Sequence, residues 1–203
     1  MAKKKIPPRV DNMRRALAQE AARIMSEHGI RDFLIAKRKA AERFGVTDNA
    51  VLPKNIEIED ALAEYQRLFG GDSHIESLYA QRSAALEAMR QLREFEPRLV
   101  GAVLSGTATE HSDVQLHLFA DRAESVAIKL MDAGIAHEVT ERRVKMNAER
   151  VLAYPGVRFE IDECPIEATV FPTDGIRQAP VSPVDGKPMR RANADELEQL
   201  LKS

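Results

Sequence analysis

The residues best suited to chemistry lie in one stretch of the chain, between Leu99 and Asp121. An apolar run over 100–104 is short enough for a buried strand, and small residues follow it from Ser105 to Thr109. Small side chains allow a phosphate group or another backbone to approach closely. The sequence therefore predicts a strand that leads into a turn suited to contact with an anion.

A row of polar side chains alternates with apolar ones after this turn: His111, Asp113, Gln115 and His117. Successive side chains of a strand point to opposite faces, so these four are expected to share one face of a second strand. Such a row is either a chemical site or the solvated face of an ordinary amphipathic strand. The alternation alone does not decide between the two.

A later carboxylate is the natural partner for this row. Residues 166–171 predict another strand, on which Glu167 and Thr169 share a face opposite Ile166, Ala168 and Val170. If this strand lies beside the one that carries Asp113, the carboxylates of Asp113 and Glu167 converge.

These residues resemble the signature of the polymerase-beta-type nucleotidyltransferase superfamily, over roughly residues 98–171. In that signature a strand leads into a Gly-Ser turn, and Ser-Asp-x-Asp opens the next strand. Here Leu104–Ala108 stands at the position of the turn and Ser112–Gln115 at that of Ser-Asp-x-Asp. Glu167 corresponds to the third carboxylate of the family, which lies on a later strand.

The resemblance implies a set of site residues. Asp113 and Glu167 are expected to bind Mg²⁺ and to form the catalytic group together with Gln115. The residues expected to bind the nucleotide are Ser105, Gly106, Thr107 and Ser112. Other residues expected to line the pocket are His111, His117, Arg142 and Arg143.

Two departures from the signature shape the predicted function. Gly-Ser is inverted to Ser105-Gly106, and the second metal-binding Asp is the neutral Gln115. Because Mg²⁺ prefers charged oxygen ligands, the resemblance predicts binding of a nucleotide or nucleotide-bearing molecule with weak or lost transfer. Two alternatives stay open: an active Mg²⁺-dependent nucleotidyltransferase, and a non-enzymatic regulatory or interaction protein that binds through basic N-terminal helices.

The charge distribution is the basis of that last alternative. The chain of 203 residues has a net charge of -2, yet residues 1–44 contain twelve Lys/Arg against five Asp/Glu. The basic part is expected to contact either nucleic acid or acidic groups of the chain itself or of a partner subunit. Its one cysteine, Cys164, allows no internal disulfide, and no apolar run reaches the length of about 20 residues that a membrane span needs. A cytoplasmic location is expected.

The fold class expected is α+β, with a helical N-terminal region followed by a nucleotidyltransferase-like mixed sheet and flanking helices. The segments expected are a flexible basic arm at 1–10, a helical region at 11–97, and an α/β domain with a Pro-rich tail at 98–203. Helices are predicted from Asp11 to His28, from Asp32 to Phe44, from a cap at Asn55 to Phe69, and from a capping box at Ser73–Glu76 to Pro97.

Shorter elements are predicted after the central stretch. Strands are expected at 135–139, 142–146 and 157–161, with turns at Tyr154–Gly156 and Asp162–Pro165, and Asn193 is expected to cap a last helix. The spacing of Ala41, Gly45 and Val51 is that of a helix-turn-helix. Pro53 argues against this motif, because proline breaks a helix interior.

Overall fold

The fold is described from a computed structural model, which covers residues 8–202. Within these residues the chain forms two compact units, divided inside one long helix at His74. The first unit extends to His74 and includes Pro183–Asp185, and the second contains Ile75–Ser182 and the C-terminal segment from Gly186. The predicted boundary between 11–97 and 98–203 marks the change from helices to a sheet. The division of the chain into domains at that boundary stays a prediction.

The first unit is helical, as the sequence predicts. Helix α1 is Pro8–His28, α2 is Phe33–Arg43 and α3 is Asn55–Tyr65. The Asp32 side chain caps α2 by accepting a hydrogen bond from the backbone N–H of Leu34 at 2.6 Å. Buried side chains from all three helices form one core: Leu17, Ala21, Ile24, Ala36, Ala40, Ile58 and Leu62.

Two predicted boundaries in this region are wrong. Helix α1 begins at Pro8, so residues 8–10 of the predicted arm are helical, while residues 1–7 lie outside the described part of the chain. Proline is compatible with the first helical position, where its missing N–H removes no helical hydrogen bond. Lys54 rather than Asn55 is the N-cap of α3, and its backbone N–H donates to Glu57 Oε2 at 2.6 Å.

The boundary between the third and fourth helices also differs from the prediction. Residues Gln66–Gly70 form a π-helical turn after α3, and helix α4 is Gly71–Gln91. Ser73–Glu76 therefore lies inside α4 and is not a capping box. The helix-turn-helix motif is not formed either, since Asn49–Val51 is a three-residue 3₁₀ turn that ends before Pro53.

The second unit is built on one mixed five-stranded sheet, which confirms the α+β class. The strands are β1 (Arg98–Val100), β2 (Val114–Phe119), β3 (His137–Lys145), β4 (Val151–Ile161) and β5 (Cys164–Phe171). Their order is β1-β2-β5-β4-β3, with β2 and β5 parallel and the other neighbours antiparallel.

Helices cover one face of this sheet. Helix α6 is Glu124–Asp132 and α7 is Ala194–Lys202. Their buried side chains pack with those of α4 against the apolar residues of β2 and β5: Met89, Leu92, Val126, Leu130, Leu197, Leu116, Leu118, Ile166 and Val170. The alternating apolar residues of the central strands thus face the helices, and their polar neighbours face the other way.

The first predicted strand is wrong beyond Val100. Gly101 has a φ of 73°, which ends the extended conformation, and Gly101–Ser105 forms the single-turn helix α5. This turn buries both Val103 and Leu104. A strand would have placed those two neighbouring side chains on opposite faces of the sheet.

Two predicted strands and one predicted turn are also corrected. Residues 137–139 and 142–145 of the two predicted strands belong to the single strand β3, which leaves residues 135, 136 and 146 outside it, and Tyr154–Gly156 lies within β4 rather than in a turn. Pro155 stands one residue beyond the β5 ladder, where β4 has lost β5 as a neighbour and proline is tolerated. Gly156 is needed because a Cβ there would lie 2.7 Å from the Ala168 carbonyl oxygen.

Of the two remaining local predictions, the cap at Asn193 is confirmed, and the turn predicted at Asp162–Pro165 is confirmed only over Asp162–Glu163, because Cys164 and Pro165 belong to β5. Asp162 and Glu163 form the tight turn between β4 and β5, with positive φ values of 48° and 64°. Asn193 caps α7 in a reciprocal arrangement: Asn193 Oδ1 accepts from the Glu196 N–H at 2.9 Å, and Glu196 Oε2 accepts from the Asn193 N–H at 2.8 Å.

Replacing Asn193 tests this cap. Asn193→Ala should lower the free energy of unfolding by about 1 kcal/mol, because one backbone donor of α7 loses its acceptor. Asn193→Asp keeps an acceptor oxygen and should stay close to wild type in a urea denaturation series. Equal losses in the two variants would contradict the assignment of the cap.

Candidate functional site

One face of the sheet in the second unit carries polar side chains from four adjacent strands. The in-register parallel pairing of β2 with β5 places Gln115 beside Glu167 and His117 beside Thr169. On the other side of β5, Glu167 is the cross-strand partner of Arg158 in β4. Strand β3 adds Arg142. We call the following set of side chains the polar face: Gln115, His117, Glu167, Thr169, Arg158 and Arg142.

Both predicted carboxylates lie at this face, and each contacts an arginine. Glu167 Oε2 is in contact with Arg142 Nη1, and the Glu167 side chain is 19% exposed. Asp113 immediately precedes β2, and its Oδ1 lies 3.6 Å from Arg158 Nη2, with a side chain only 7% exposed. Asp113, Gln115 and Glu167 are therefore brought to the same end of two adjacent strands, and this adjacency is the condition under which the sequence analysis expects the two carboxylates to converge.

These residues do not form a ready-made metal centre. Within residues 8–202, no group of three His, Cys, Asp or Glu side chains is placed to hold a metal ion. The carboxylates of Asp113 and Glu167 already face guanidinium groups, and Gln115 adds only a neutral amide. Because Mg²⁺ favours several charged oxygens in octahedral geometry, this donor set does not fit it. Magnesium binding by Asp113 and Glu167 stays a prediction.

The predicted nucleotide-binding residues lie at the end of α5, which includes Ser105, and in the segment between α5 and β2, where hydroxyl groups contact neighbouring residues of the loop. Ser105 Oγ is 2.8 Å from Thr107 Oγ1, and the Thr109 N–H donates to Ser112 Oγ at 2.9 Å. Gly106 has a φ of 85°, which suits glycine at this turn. The hydroxyl groups therefore stabilise the loop, and their role in binding a nucleotide stays a prediction.

Gln81 in α4 anchors this loop, a role that the sequence analysis missed. Its side chain is 5% exposed, and its amide nitrogen donates to the carbonyl oxygens of Thr109 at 2.8 Å and Ser112 at 3.2 Å. Holding both carbonyls fixes the chain just before Asp113. The helical pattern of α4 gave no sequence signal of this contact, because Gln81 is a polar residue among apolar residues that pack in the core.

Gly101 is a second residue that was missed. A Cβ built at Gly101 would lie 2.7 Å from Gln115 Oε1, so glycine at this position makes room for the Gln115 side chain. The small-residue position that borders β2 is therefore Gly101, directly after β1, rather than the expected Ser105-Gly106 turn. A glycine inside an apolar run was the available signal.

Two of the expected pocket residues do not lie on the polar face. His111 is exposed in the turn before β2, because that strand begins only at Val114. The predicted row of four on one strand face is therefore limited to Gln115 and His117. Arg143 follows Arg142 in β3, so its side chain points to the opposite side of the sheet.

His117 is buried and is held by an arginine from the C-terminal segment. Its Nδ1 accepts a hydrogen bond from Arg191 Nε at 3.1 Å, and its exposed fraction is 6%. Burial, followed by the positive charges of Arg191 and Arg142, lowers the pKa of His117 to about 3. The imidazole is therefore neutral at physiological pH and donates only through Nε2.

Arg191 closes one end of the polar face. Its guanidinium lies 5.0 Å from the Phe119 ring centroid and 5.5 Å from that of Phe171. Its Nη1 donates to the carbonyl oxygens of Gly175 at 3.0 Å and Ile176 at 3.2 Å. Burial and the nearby charge of Arg98 lower the pKa of Arg191 to about 10, which leaves it charged at neutral pH. The non-periodic tail gave no sequence signal for this residue.

The basic N-terminal helices neutralise part of their own charge. Arg23 pairs with Glu20 at 2.9 Å and with Glu27 at 2.6 Å, and Arg43 also pairs with Glu20. These contacts match the second of the two expectations from charge, that basic residues meet acidic groups of the same chain. Nucleic acid contact through Lys37, Arg38 and Lys39 stays a prediction.

A surface cavity of about 540 Å³ lies away from the polar face, between the end of α4 and helix α6. Its lining includes Glu94 and Lys129, which form an ion pair at 3.3 Å, and Ser125. We place the candidate site at the polar face instead, because the paired charges and the buried polar residues converge there.

No family model, curated protein or solved structure matches this chain. Among the helices of residues 8–202, none combines the length and the apolar character needed to cross a membrane. The function is therefore inferred from the geometry of the polar face and from the sequence resemblance.

The pH dependence of stability tests the environment of His117. Its pKa of about 3 in the fold lies below the unfolded value near 6.5, so only the unfolded chain gains this proton as the pH falls below 6.5. The contribution of His117 to the free energy of unfolding is therefore fully present above pH 6.5. It should decline on acidification by up to about 1.4 kcal/mol per pH unit.

Urea denaturation between about pH 5 and pH 6.5 measures this slope before ordinary carboxylates titrate. His117→Gln should flatten it, whereas His111→Gln, at an exposed histidine, should retain it. The same slope in wild type and His117→Gln would contradict a buried, neutral His117.

Proposed function

We propose that the protein binds a nucleotide or a nucleotide-bearing small molecule at the polar face. One observation carries this proposal: the in-register pairing of β2 and β5 brings Asp113, Gln115 and Glu167 to one end of a face that also presents Arg142 and Arg158. The resemblance to polymerase-beta-type nucleotidyltransferases supports the choice of a nucleotide, because these carboxylate positions are the ones that it singles out.

The arginines supply the chemistry that a phosphorylated ligand needs. A guanidinium group presents several N–H donors in a plane that matches phosphate oxygens, and it stays charged at any physiological pH. The Arg142 and Arg158 side chains are 39% and 51% exposed, so both can reach a ligand in solvent. Phosphate contacts are the ones expected to give most of the affinity.

Transfer of the nucleotidyl group is weak or lost in this proposal. In-line transfer requires stabilisation of the charge that develops on the phosphoryl oxygens and activation of the attacking group. Gln115 stands where the resemblance expects a second carboxylate, and a neutral amide neither binds a metal strongly nor accepts a proton readily. An active Mg²⁺-dependent transferase is the second candidate, favoured by the placement of Asp113 and Glu167 at the same end of adjacent strands.

The cytoplasmic location expected from the sequence is also part of the proposal. The single cysteine, Cys164, supports it, because a reduced thiol is typical of that compartment.

Calorimetric titration with each of the four ribonucleoside triphosphates tests the proposal, with and without Mg²⁺. At least one should bind, and Arg142→Ala should weaken that binding about 10-fold or more, through loss of a charge-assisted contact. Arg143→Ala is the matched control, because it removes the same charge from the next residue of β3, on the other side of the sheet. Failure of all four nucleotides to bind, or equal effects of the two variants, would contradict the proposal.

A further inference from the structure

We propose that the polar face binds phosphoryl groups directly through Arg142 and Arg158, without a divalent cation. In this arrangement Glu167 and Asp113 are positioning residues that hold the two guanidinium groups, rather than metal ligands. The inference deepens the proposed function, since it states how the phosphate part of the ligand is recognised.

Arg142 has most of its donors available. Its Nη1 contacts Glu167 Oε2, and within residues 8–202 its guanidinium makes no other hydrogen bond. A contact through one nitrogen fixes the direction of the group and leaves the remaining N–H donors for an anion. Because Glu167 is only 19% exposed, its carboxylate is a firm anchor at the base of the face.

Arg158 is arranged in a similar way on the neighbouring strand. Its Nη2 lies 3.6 Å from Asp113 Oδ1, beyond hydrogen-bonding distance, and no hydrogen bond of Arg158 occurs in the described part of the chain. Arg158 is also the cross-strand partner of Glu167, so the two ion pairs lie side by side. The carboxylates are the less exposed members of both pairs, and the arginines extend outward.

Gln115 suits an anion better than the carboxylate that the resemblance expects. It lies beside Glu167 in the sheet, it is half-buried, and its amide makes no hydrogen bond within residues 8–202. An amide can donate to a phosphate oxygen, whereas a third carboxylate would repel it unless a metal ion lay between them. A neutral residue here removes the need for a bridging cation.

Competition between a metal ion and the two arginines for Asp113 and Glu167 also favours direct binding of an anion. A metal ion bound by these carboxylates would have to displace or crowd two guanidinium groups that already offset their charge. An anion bound by the arginines leaves both ion pairs in place. The positive charge that a metal would supply therefore comes from Arg142 and Arg158.

Inorganic tripolyphosphate is the probe that tests this inference apart from nucleoside recognition. The full chain should bind it in excess EDTA, and affinity with Mg²⁺ should be equal or weaker, because the Mg²⁺ complex of the probe carries less negative charge. Arg142→Ala and Arg158→Ala should each reduce the affinity about 10-fold or more, and Arg143→Ala should not. Because the Arg158 side chain is exposed, Arg158→Ala is expected to fold as the wild type does. Circular dichroism checks the fold of every variant.

The ranking of the carboxylate variants separates positioning residues from metal ligands. Glu167→Gln keeps an acceptor oxygen for Arg142, Asp113→Asn keeps a polar oxygen that faces Arg158, and each variant removes a negative charge near the anion. Each should therefore reduce affinity in EDTA less than the corresponding arginine variant.

Two results would overturn the inference: no tripolyphosphate binding in EDTA, or a larger loss from the carboxylate variants than from the arginine variants. Nucleotide binding that requires Mg²⁺ would leave the proposed function standing while the inference fails. Tripolyphosphate binding in EDTA without binding of any nucleotide would contradict the nucleotide proposal and support direct recognition of phosphoryl groups.

Discussion

The parallel, in-register pairing of β2 with β5 is the constraint on which the candidate site depends. It places Gln115 beside Glu167 and His117 beside Thr169, while Leu116 and Ala168 face the helices. A slip of one residue in either strand would exchange the two faces, exposing the apolar side chains and burying Glu167. The apolar core therefore fixes the register, and the register determines which polar groups meet.

The charged groups on this face are organised by their differences in exposure. Asp113 and Glu167 lie deep, and Arg158 and Arg142 lie over them with their remaining donors toward solvent. Arg191, stacked on Phe119 and Phe171, closes the far end and keeps His117 neutral by burial and charge. Carboxylates that orient arginines, rather than carboxylates that gather a metal, are the arrangement that these contacts favour.

Local rules predicted those features that depend on neighbouring residues. The cap at Asn193 and the tight turn at Asp162–Glu163 followed from side-chain type and position. Alternation placed Gln115 with His117, and Glu167 with Thr169, on shared faces. The same reasoning failed at Gly101, where one positive φ turned an apolar run into a helical turn.

The remainder depended on contacts between residues distant in the chain. Arg158 and Arg191 are identified as site residues only by the strand order and by the path of the C-terminal tail. Hydrophobic periodicity in the sequence predicts neither of these. Gly156 gave a misleading turn signal, because its small size serves the approach of the Ala168 carbonyl oxygen. The charge pairs Asp113–Arg158 and Glu167–Arg142 likewise required the sheet register.

The most direct test of this account is a nuclear magnetic resonance titration that follows the arginine side-chain Nε–Hε signals as tripolyphosphate is added in EDTA. Arg142→Lys and Arg158→Lys assign the two signals by their disappearance. The account predicts that both signals shift with a common binding curve while that of Arg143 does not. Shifts confined to arginines of the N-terminal helices, or no shift at Arg142 and Arg158, would contradict it.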